Sequence, residues 1–180
     1  MRTIIFDTET TGLPLPLVAP LEKQPKIIEL GMLVVEGEEL VQGLNWLVHP
    51  GEEITAEITK ITGITNEDLV GKPRFSEIAD EVEKLFASAD ACIAHNAPFD
   101  TKLVNFEFKR LERELKWPDQ VICTVQEYTH ITGKRPKLTF LYEHIMGKPL
   151  AQTHRASDDA LALFELLKAD GFLKMIGTPR

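Results

Sequence analysis

The sequence Ile4-Ile5-Phe6-Asp7-Thr8-Glu9-Thr10-Thr11-Gly12-Leu13 joins a short apolar segment to a polar run. The apolar part is mostly β-branched or aromatic, which predicts a strand that ends at Phe6. Side chains alternate along an extended chain, so Asp7 and Glu9 point to the same side, a few Å apart. Their charges repel, and the apolar neighbours Phe6 and Leu13 strengthen the repulsion by limiting water. A hard divalent cation between the carboxylates would relieve it.

The residues that follow favour a ligand site over the alternative, a solvated acidic loop. Gly12 allows the backbone to approach a ligand closely. The hydroxyls of Thr10 and Thr11 are suited to hydrogen bonds with a phosphate or a sugar. The stretch is therefore a candidate metal and phosphate site that needs support from the rest of the chain.

Composition limits the class of protein. The 180 residues fit one domain, with 43% hydrophobic and 27% charged residues, as in ordinary globular proteins. No apolar run is long enough to span a membrane, and the first residues do not resemble a signal peptide, so we expect a cytoplasmic location. Cys92 and Cys123 are far apart in predicted strands, which indicates buried free thiols. The net charge of −8 argues against a protein that coats long nucleic acid, but it is compatible with one that holds a strand end.

The hydrophobic pattern predicts an α/β domain. Residues 27–35 and 39–48 form an antiparallel hairpin across Glu36-Gly37-Glu38, next to the opening strand. Further elements follow in the order helix, strand, helix, strand, helix, helix. We expect short helices capped by Thr55 and Asn66, a helix over 76–87, a strand over 89–94, a helix after Asn96, a strand over 120–123, and helices over 125–131, 138–146 and from about Ala156.

Two later segments can bring polar groups toward the first motif. Asp100 lies in the first turn of a helix that follows a strand, where it either stabilises the helix dipole or joins a ligand site at the carboxyl end of the strand. His154 precedes the last long helix, and Asp159 lies about one turn into it and points back toward the same region. A lone histidine before a helix is often structural, and the basic segment 133–137 is typical of a solvated turn.

Taken together, three motifs resemble the DEDDh (DnaQ-like) 3′→5′ exonucleases, a family that includes the proofreading epsilon subunit of bacterial DNA polymerase III. The motifs are Phe6-Asp7-Thr8-Glu9-Thr10-Thr11-Gly12-Leu13, His95-Asn96-Ala97-Pro98-Phe99-Asp100 and His154-x-Ala156-x-x-Asp159-Ala160. They occur in the family's order, and the resemblance runs from about residue 4 to residue 167 of a single predicted domain, 1–180. Two positions depart from the family pattern. Thr62 replaces the usual histidine before Gly63-Ile64-Thr65, and Asp158 stands where a small residue is common.

The resemblance implies an RNase H-like fold, with a mixed five-stranded sheet whose first three strands are antiparallel, flanked by helices. It also implies two Mg²⁺ or Mn²⁺ ions at the scissile phosphate. Asp7, Glu9 and Asp159 would bind one ion, while Asp7 and, through water, Asp100 would bind the other. His154 would be the general base, and the products would be nucleoside 5′-monophosphates.

The resemblance also suggests how substrate binds. We expect the terminal base against an apolar lip of Leu13, Ile64 and Phe99, and the terminal sugar and phosphate near the backbone of residues 10–12. The complete predicted set of substrate contacts is Thr10, Thr11, Gly12, Leu13, Ile64, Asn96 and Phe99. Basic residues near the motifs, which could neutralise phosphates, are Lys137, Lys148 and Arg155.

The favoured substrate is the 3′ end of single-stranded DNA. Oligoribonuclease-like members usually carry Met where Thr10 stands, so RNA is the alternative within the family. The chain ends soon after the last motif, so we expect no long polymerase tether, although a polymerase or another replication or repair partner fits the family. A non-catalytic module that binds nucleic acid or polymerase is a rival from another class, but all four carboxylates and the histidine are present. An unrelated phosphate-binding domain would need a Gly-rich loop after the first strand, and the sequence has none there.

Overall fold

The computed structural model of the protein describes residues 1–151 and 153–177, apart from the side chain of Thr132. The predicted domain's last residues, 178–180, lie outside this part. The described residues form a five-stranded sheet with the strand order β3-β2-β1-β4-β5. The strands are β1 (Arg2–Thr10), β2 (Ile27–Glu36), β3 (Glu39–Leu47), β4 (Ala91–Ala94) and β5 (Gln120–Cys123).

Helices cover the two faces of this sheet. They are α1 (Ala56–Thr62), α2 (Asn66–Leu69), α3 (Phe75–Ala87), α4 (Ala97–Arg110), α5 (Thr124–Glu127), α6 (Thr129–Thr132), α7 (Leu138–Met146), α8 (Ala156–Ala169) and α9 (Phe172–Ile176). The predicted mixed sheet, with its first three strands antiparallel, is confirmed. No helix in the described ranges is long and apolar enough to cross a membrane.

β1 is the central strand and extends beyond its predicted end at Phe6. It pairs with β2 along its whole length, with a register shift between Glu9 and Thr10. Its parallel pairing with β4 covers only residues 3–5. Pairing with β2 therefore keeps the acidic segment extended, while the flank of that segment on the β4 side is left without a strand neighbour.

The β2–β3 hairpin closes as predicted. Glu36 is opposite Glu39, so the connection consists of Gly37 and Glu38. Gly37 has a φ of 63°, a backbone conformation in which a Cβ atom is costly. Turns of this kind favour the twist of an antiparallel hairpin.

Alternation along β1 divides the hydrophobic core into two layers. Phe6 belongs to the layer under α3 and α4, where its ring contacts Phe86 edge-on at 5.1 Å between centroids. Ile5 points to the opposite face and packs with residues of α7 and α8, including Leu163. Cys92 and Cys123 are buried free thiols, as predicted. The sheet therefore lies between helices that are fixed on both faces.

Two further local predictions differ from the structure. Residues 125–131 do not form one helix, because α5 ends at Glu127 and α6 begins at Thr129. Tyr128, between the two helices, donates a hydrogen bond from its hydroxyl to Asp170 (2.7 Å). The N-cap of α2 is Thr65, which forms a capping box with Asp68. Asn66 instead exchanges side-chain hydrogen bonds with the backbone of Ile54 (2.8 and 3.1 Å).

Candidate active site

Three carboxylates come together at the carboxyl end of β1, beyond the residues that pair with β4. Asp7 and Glu9 extend from the strand, and Asp159 extends from the first turn of α8. One oxygen from each lies within 4.8 Å of the others. The structure thus brings together residues from opposite ends of the sequence, in the arrangement expected of oxygen ligands around a divalent cation.

A fourth carboxylate, Asp100, is connected to β1 by hydrogen bonds. It lies in the first turn of α4 and is only 2% exposed. Its Oδ1 accepts hydrogen bonds from the backbone N–H of Thr8 (3.1 Å) and from the Thr8 hydroxyl (2.7 Å). Thr8 lies between Asp7 and Glu9 on β1, so its hydrogen bonds place Asp100 beside these two residues.

The carboxylates are energetically unfavourable in the absence of a cation. Burial raises the pKa of Asp7 well above its ordinary value, and the charges of Asp100, Asp159 and Glu9 add to the effect. Burial, followed by the charge of Asp159, raises the pKa of Glu9 to about 8. Burial raises the pKa of Asp100 to about 7, despite the hydrogen bonds from Thr8. A hard divalent ion fits this set of oxygen donors, because no thiolate or imidazole belongs to the cluster that the described residues form.

The position of α8 depends on Glu29, a fully buried residue of β2. One oxygen accepts hydrogen bonds from the backbone N–H of Ala156 (3.0 Å) and from Nε of Arg155 (2.9 Å). The other accepts from Nη2 of Arg155 (2.7 Å) and from Asn45 (2.8 Å). Glu29 therefore fixes the first residues of the helix that carries Asp159.

Gly31 allows the same helix to approach the sheet. A Cβ atom at this position would lie 2.5 Å from the carbonyl carbon of Ala156 and 2.6 Å from the backbone nitrogen of Ser157. Neither Gly31 nor Glu29 was predicted from the sequence. The available signal was an acidic residue within the apolar run 27–35, because a charge in a buried strand needs a partner.

His154 precedes this anchored segment. It is exposed and adopts a φ of 52°, which is uncommon for a residue with a Cβ atom. It lines a cavity that Asn96 and Lys137 also line. The other histidine of the motifs, His95, is partly buried between the Thr124 hydroxyl (3.0 Å) and the carbonyl of Pro136 (3.2 Å).

The predicted contacts of the first motif are partly engaged within the protein. Thr10 donates a hydrogen bond from its hydroxyl to the carbonyl of Gly12 (2.7 Å), and the Thr11 hydroxyl accepts one from the N–H of Lys26 (3.0 Å). These bonds shape the loop. Leu13 is 79% exposed and is available for contact.

The predicted apolar lip needs one correction. Phe99 is half-buried, but Ile64 is 1% exposed and packs in a small core with Ile28, Ile54 and Leu69. The side chain of Ile64 stabilises the connection between α1 and α2, so it does not form a surface for a base.

The two departures from the family pattern have structural roles. Thr62 is buried, donates its hydroxyl to the carbonyl of Ile58 (3.0 Å) and accepts from the N–H of Ile64 (3.1 Å), which completes the end of α1. Asp158 is exposed and accepts a hydrogen bond from the Thr153 hydroxyl (2.7 Å). Asp158 is not in the acidic cluster found among the described residues.

Of the three cations expected to neutralise phosphates, Arg155 is paired with buried Glu29 (2.7 Å). The ammonium group of Lys148 lies 5.8 Å from the centroid of the Tyr142 ring. Lys137 lines the cavity next to His154. The buried charge of Glu29 requires a partner of opposite charge, which Arg155 provides.

A mixed sheet whose central strand carries a cluster of carboxylates defines an α/β protein with a candidate site for a divalent metal ion. Residues 4–167 match the family model RNase_T, described as an exonuclease. The DNA polymerase III subunit epsilon of Rickettsia prowazekii is 32% identical over 190 residues, which cover 99% of this chain and 80% of that protein. The PolC-type DNA polymerase III of Clostridium perfringens is 32% identical over 165 residues, 92% of this chain but 11% of the polymerase.

A solved structure extends the comparison to the fold. The nuclease domain of 3′hExo, a DEDDh family member bound to rAMP, superposes with a TM-score of 0.76 at 16% identity, covering 98% of this chain and 92% of that one. The fold is therefore RNase H-like. The chain belongs to the exonuclease family, and it shares its fold with a DEDDh family member. Enzymes of this family depend on divalent metal ions, and the acidic cluster provides suitable ligands.

Proposed function

We propose that the protein removes nucleotides from the 3′ end of single-stranded DNA and releases nucleoside 5′-monophosphates. The observation that carries this proposal is the cluster of Asp7, Glu9 and Asp159, with Asp100 attached to the same strand through Thr8. The four carboxylates come from three separate elements, and their crowding is costly without a cation.

Asp7, Glu9 and Asp159 would hold one Mg²⁺ or Mn²⁺ ion, and Asp7 with Asp100 would hold a second. Such ions supply positive charge to the attacking and leaving oxygens of a phosphoryl transfer. Thr8 restricts the orientation of Asp100, and the anchored start of α8 restricts that of Asp159. The chain itself thus keeps the carboxylate oxygens in place before any substrate binds.

His154 would act as the general base. Its imidazole takes a proton from the attacking water as the new oxygen–phosphorus bond forms, and the bond to the 3′ oxygen of the preceding nucleotide breaks. The exposed position of His154 leaves its ring accessible to water and substrate. A group that titrates near neutrality suits this task.

Leu13 and Phe99 would provide the apolar surface for the terminal base, and Asn96 with the backbone of residues 10–12 would contact the sugar and phosphate. Stacking on such a surface supplies affinity without sequence preference. DNA is favoured because relatives of which this chain covers most of the length are subunits of a DNA polymerase. A replication or repair protein is the corresponding partner, and the rAMP bound to 3′hExo is the reason to test RNA as well.

The test compares labelled single-stranded DNA, duplex DNA and RNA of the same sequence with the purified protein and Mg²⁺ or Mn²⁺. We expect fastest release of 5′-monophosphates from single-stranded DNA, and none from a circular strand or with Asp7→Asn. Cleavage of the circle would show an endonuclease, and faster cleavage of RNA would replace the DNA assignment.

A further inference from the structure

A second polar cavity adjoins the candidate active site. Its volume is about 500 Å³, and it lies between the start of α4, the segment before α7 and the loop that carries His154. Its polar lining consists of His95, Asn96, Arg135, Lys137, Thr139 and His154. The carboxylate cluster does not contribute to this cavity, whose charged side chains are basic.

The basic segment of this cavity is attached to the second motif. His95 contacts the carbonyl of Pro136 through Nε2 (3.2 Å), and a carbonyl can only accept, so Nε2 carries the proton. Burial lowers the pKa of His95 to about 4, so the ring is neutral near pH 7 and Nδ1 accepts from the Thr124 hydroxyl (3.0 Å). Nε2 therefore holds the carbonyl of Pro136, while Nδ1 is fixed by Thr124. Arg135 and Lys137 lie on either side of Pro136 in the chain.

The charges of these two residues are not neutralised by carboxylates of the described residues. Arg135 donates a hydrogen bond from Nη2 to Oδ1 of Asn96 (2.5 Å), which is a neutral group. The ion pairs found in the described part of the chain include neither Arg135 nor Lys137. Both side chains are exposed, and in a chain with a net charge of −8 they form a basic patch that can attract an anionic ligand to the cavity.

We propose that this cavity binds a phosphodiester group of the substrate strand on the 5′ side of the scissile bond. A guanidinium group recognises phosphate oxygens with two parallel hydrogen bonds, and an ammonium group adds a compact charge. Arg135 would exchange its amide partner Asn96 for the phosphate and leave that amide free to bind the strand. The subsite rests on the proposed function and gives the enzyme a preference for chains over single nucleotide esters.

The experiment compares two substrates that differ in this group. Thymidine 5′-monophosphate p-nitrophenyl ester has the scissile phosphate alone, and a thymidine octanucleotide has the neighbouring ones. For the double variant Arg135→Gln and Lys137→Gln, we expect kcat/KM on the octanucleotide to fall about tenfold more than on the ester. Lys116→Gln, a change of another exposed lysine, is the matched control and should alter neither value.

A binding measurement gives a readout that does not require turnover. With Ca²⁺ present, the double variant should bind the octanucleotide about tenfold more weakly. Its salt slope should decrease by about 0.7 for each phosphate that the variant no longer neutralises. A series of octanucleotides, each with one neutral methylphosphonate linkage at a different position, locates the phosphate that is bound. At one position, the neutral linkage should weaken binding to the wild-type protein as much as the double variant does. With that octanucleotide, the double variant should bind no more weakly than the wild-type protein.

Equal losses on the ester and the octanucleotide would overturn the subsite, since they would mean that the two residues act on the fold or on His154. Undiminished octanucleotide binding by the double variant would overturn it as well. Failure of the proposed function has a different signature, because the wild-type protein would then hydrolyse neither substrate.

Discussion

Asp7 is a half-buried carboxylate whose pKa is raised by burial and by the charges of Asp100, Asp159 and Glu9, and the effect of this crowding on stability can be measured. Replacing Asp7 by Asn should abolish cleavage and raise the melting temperature in EDTA, because one repelling charge is removed. A protein of this size gains about 2–4 °C for each kcal/mol of relieved repulsion.

Asp158→Asn is the matched control for Asp7→Asn, because Asp158 is an exposed carboxylate outside the cluster. It should leave cleavage intact and the melting temperature nearly constant. Cleavage by the Asp7→Asn protein would contradict the assignment of Asp7 as a metal ligand. An unchanged melting temperature would contradict only the repulsion argument.

The raised pKa of Glu9 predicts how stability depends on pH. In the folded protein the Glu9 carboxyl group keeps its proton up to about pH 8, whereas an unperturbed glutamate loses its proton near pH 4.5. Between these values the folded state binds more protons than the unfolded state, so stability falls as pH rises. In EDTA, the melting temperature should decrease as the pH rises from about 5 to about 8.

Two comparisons test the origin of this pH dependence. Glu9→Gln should make the curve flatter, and Mg²⁺ should raise the melting temperature most at the alkaline end, where the ligands are ionised. A melting temperature that rises with pH in EDTA would show that other groups control the stability in this range.

His154 is predicted to be the general base, and its loss should affect rate more than binding. His154→Ala should reduce kcat by about 10²–10⁴-fold, and the acid limb of the pH–rate profile should disappear. His49, His130 and His144 are controls that line neither the cluster nor the cavity beside His154. Loss of the acid limb in one of those variants, with retention in His154→Ala, would refute the assignment.

At the scale of elements, the contact between β2 and α8 positions the third motif. Gly31→Ala would place a Cβ atom 2.5 Å from the backbone of Ala156, so the start of α8 must move away from the sheet. We expect a stability loss of about 1–3 kcal/mol, typical of overpacking. A decrease in kcat of at least about tenfold should accompany it, because a small displacement of catalytic groups is costly.

Gly43→Ala is the control for Gly31→Ala, because Gly43 lies on the neighbouring strand of the same hairpin. A Cβ atom there would meet only the side chain of Leu33, at 3.5 Å. Both stability and kcat should change little. Normal activity of a folded Gly31→Ala protein would show that the close approach of α8 is not needed for catalysis.

At the scale of the whole molecule, the net charge of −8 limits how much of a strand the protein can hold. Neutralisation of roughly two phosphates gives a weak salt dependence, since each contributes a slope of about −0.7 for single strands. Raising the salt from ~50 to ~200 mM should weaken octanucleotide binding by roughly tenfold or less. A loss approaching a thousandfold would indicate an extended basic groove.

The local sequence was sufficient to predict that the strands and the hairpin exist and to which family the chain belongs. A run of apolar residues and the turn residues after it specify β2, the Gly37 turn and β3 with end errors of about one residue, because these signals act between near neighbours. The acidic motifs could also be predicted from the sequence, because their spacing within an extended segment or a helical turn places carboxylates on one side. The end of β1 was misjudged because pairing with β2 continues through polar residues.

The partners of the buried charges depended on the tertiary structure. Glu29 meets the start of α8 across 127 positions and forms an ion pair with Arg155. Ile64 is buried by residues from other segments, and His95 holds Pro136 across 41 positions. Local sequence patterns do not encode such pairings. A buried charge or hydrogen-bonding group must be satisfied, but only the folded chain determines which distant residue satisfies it.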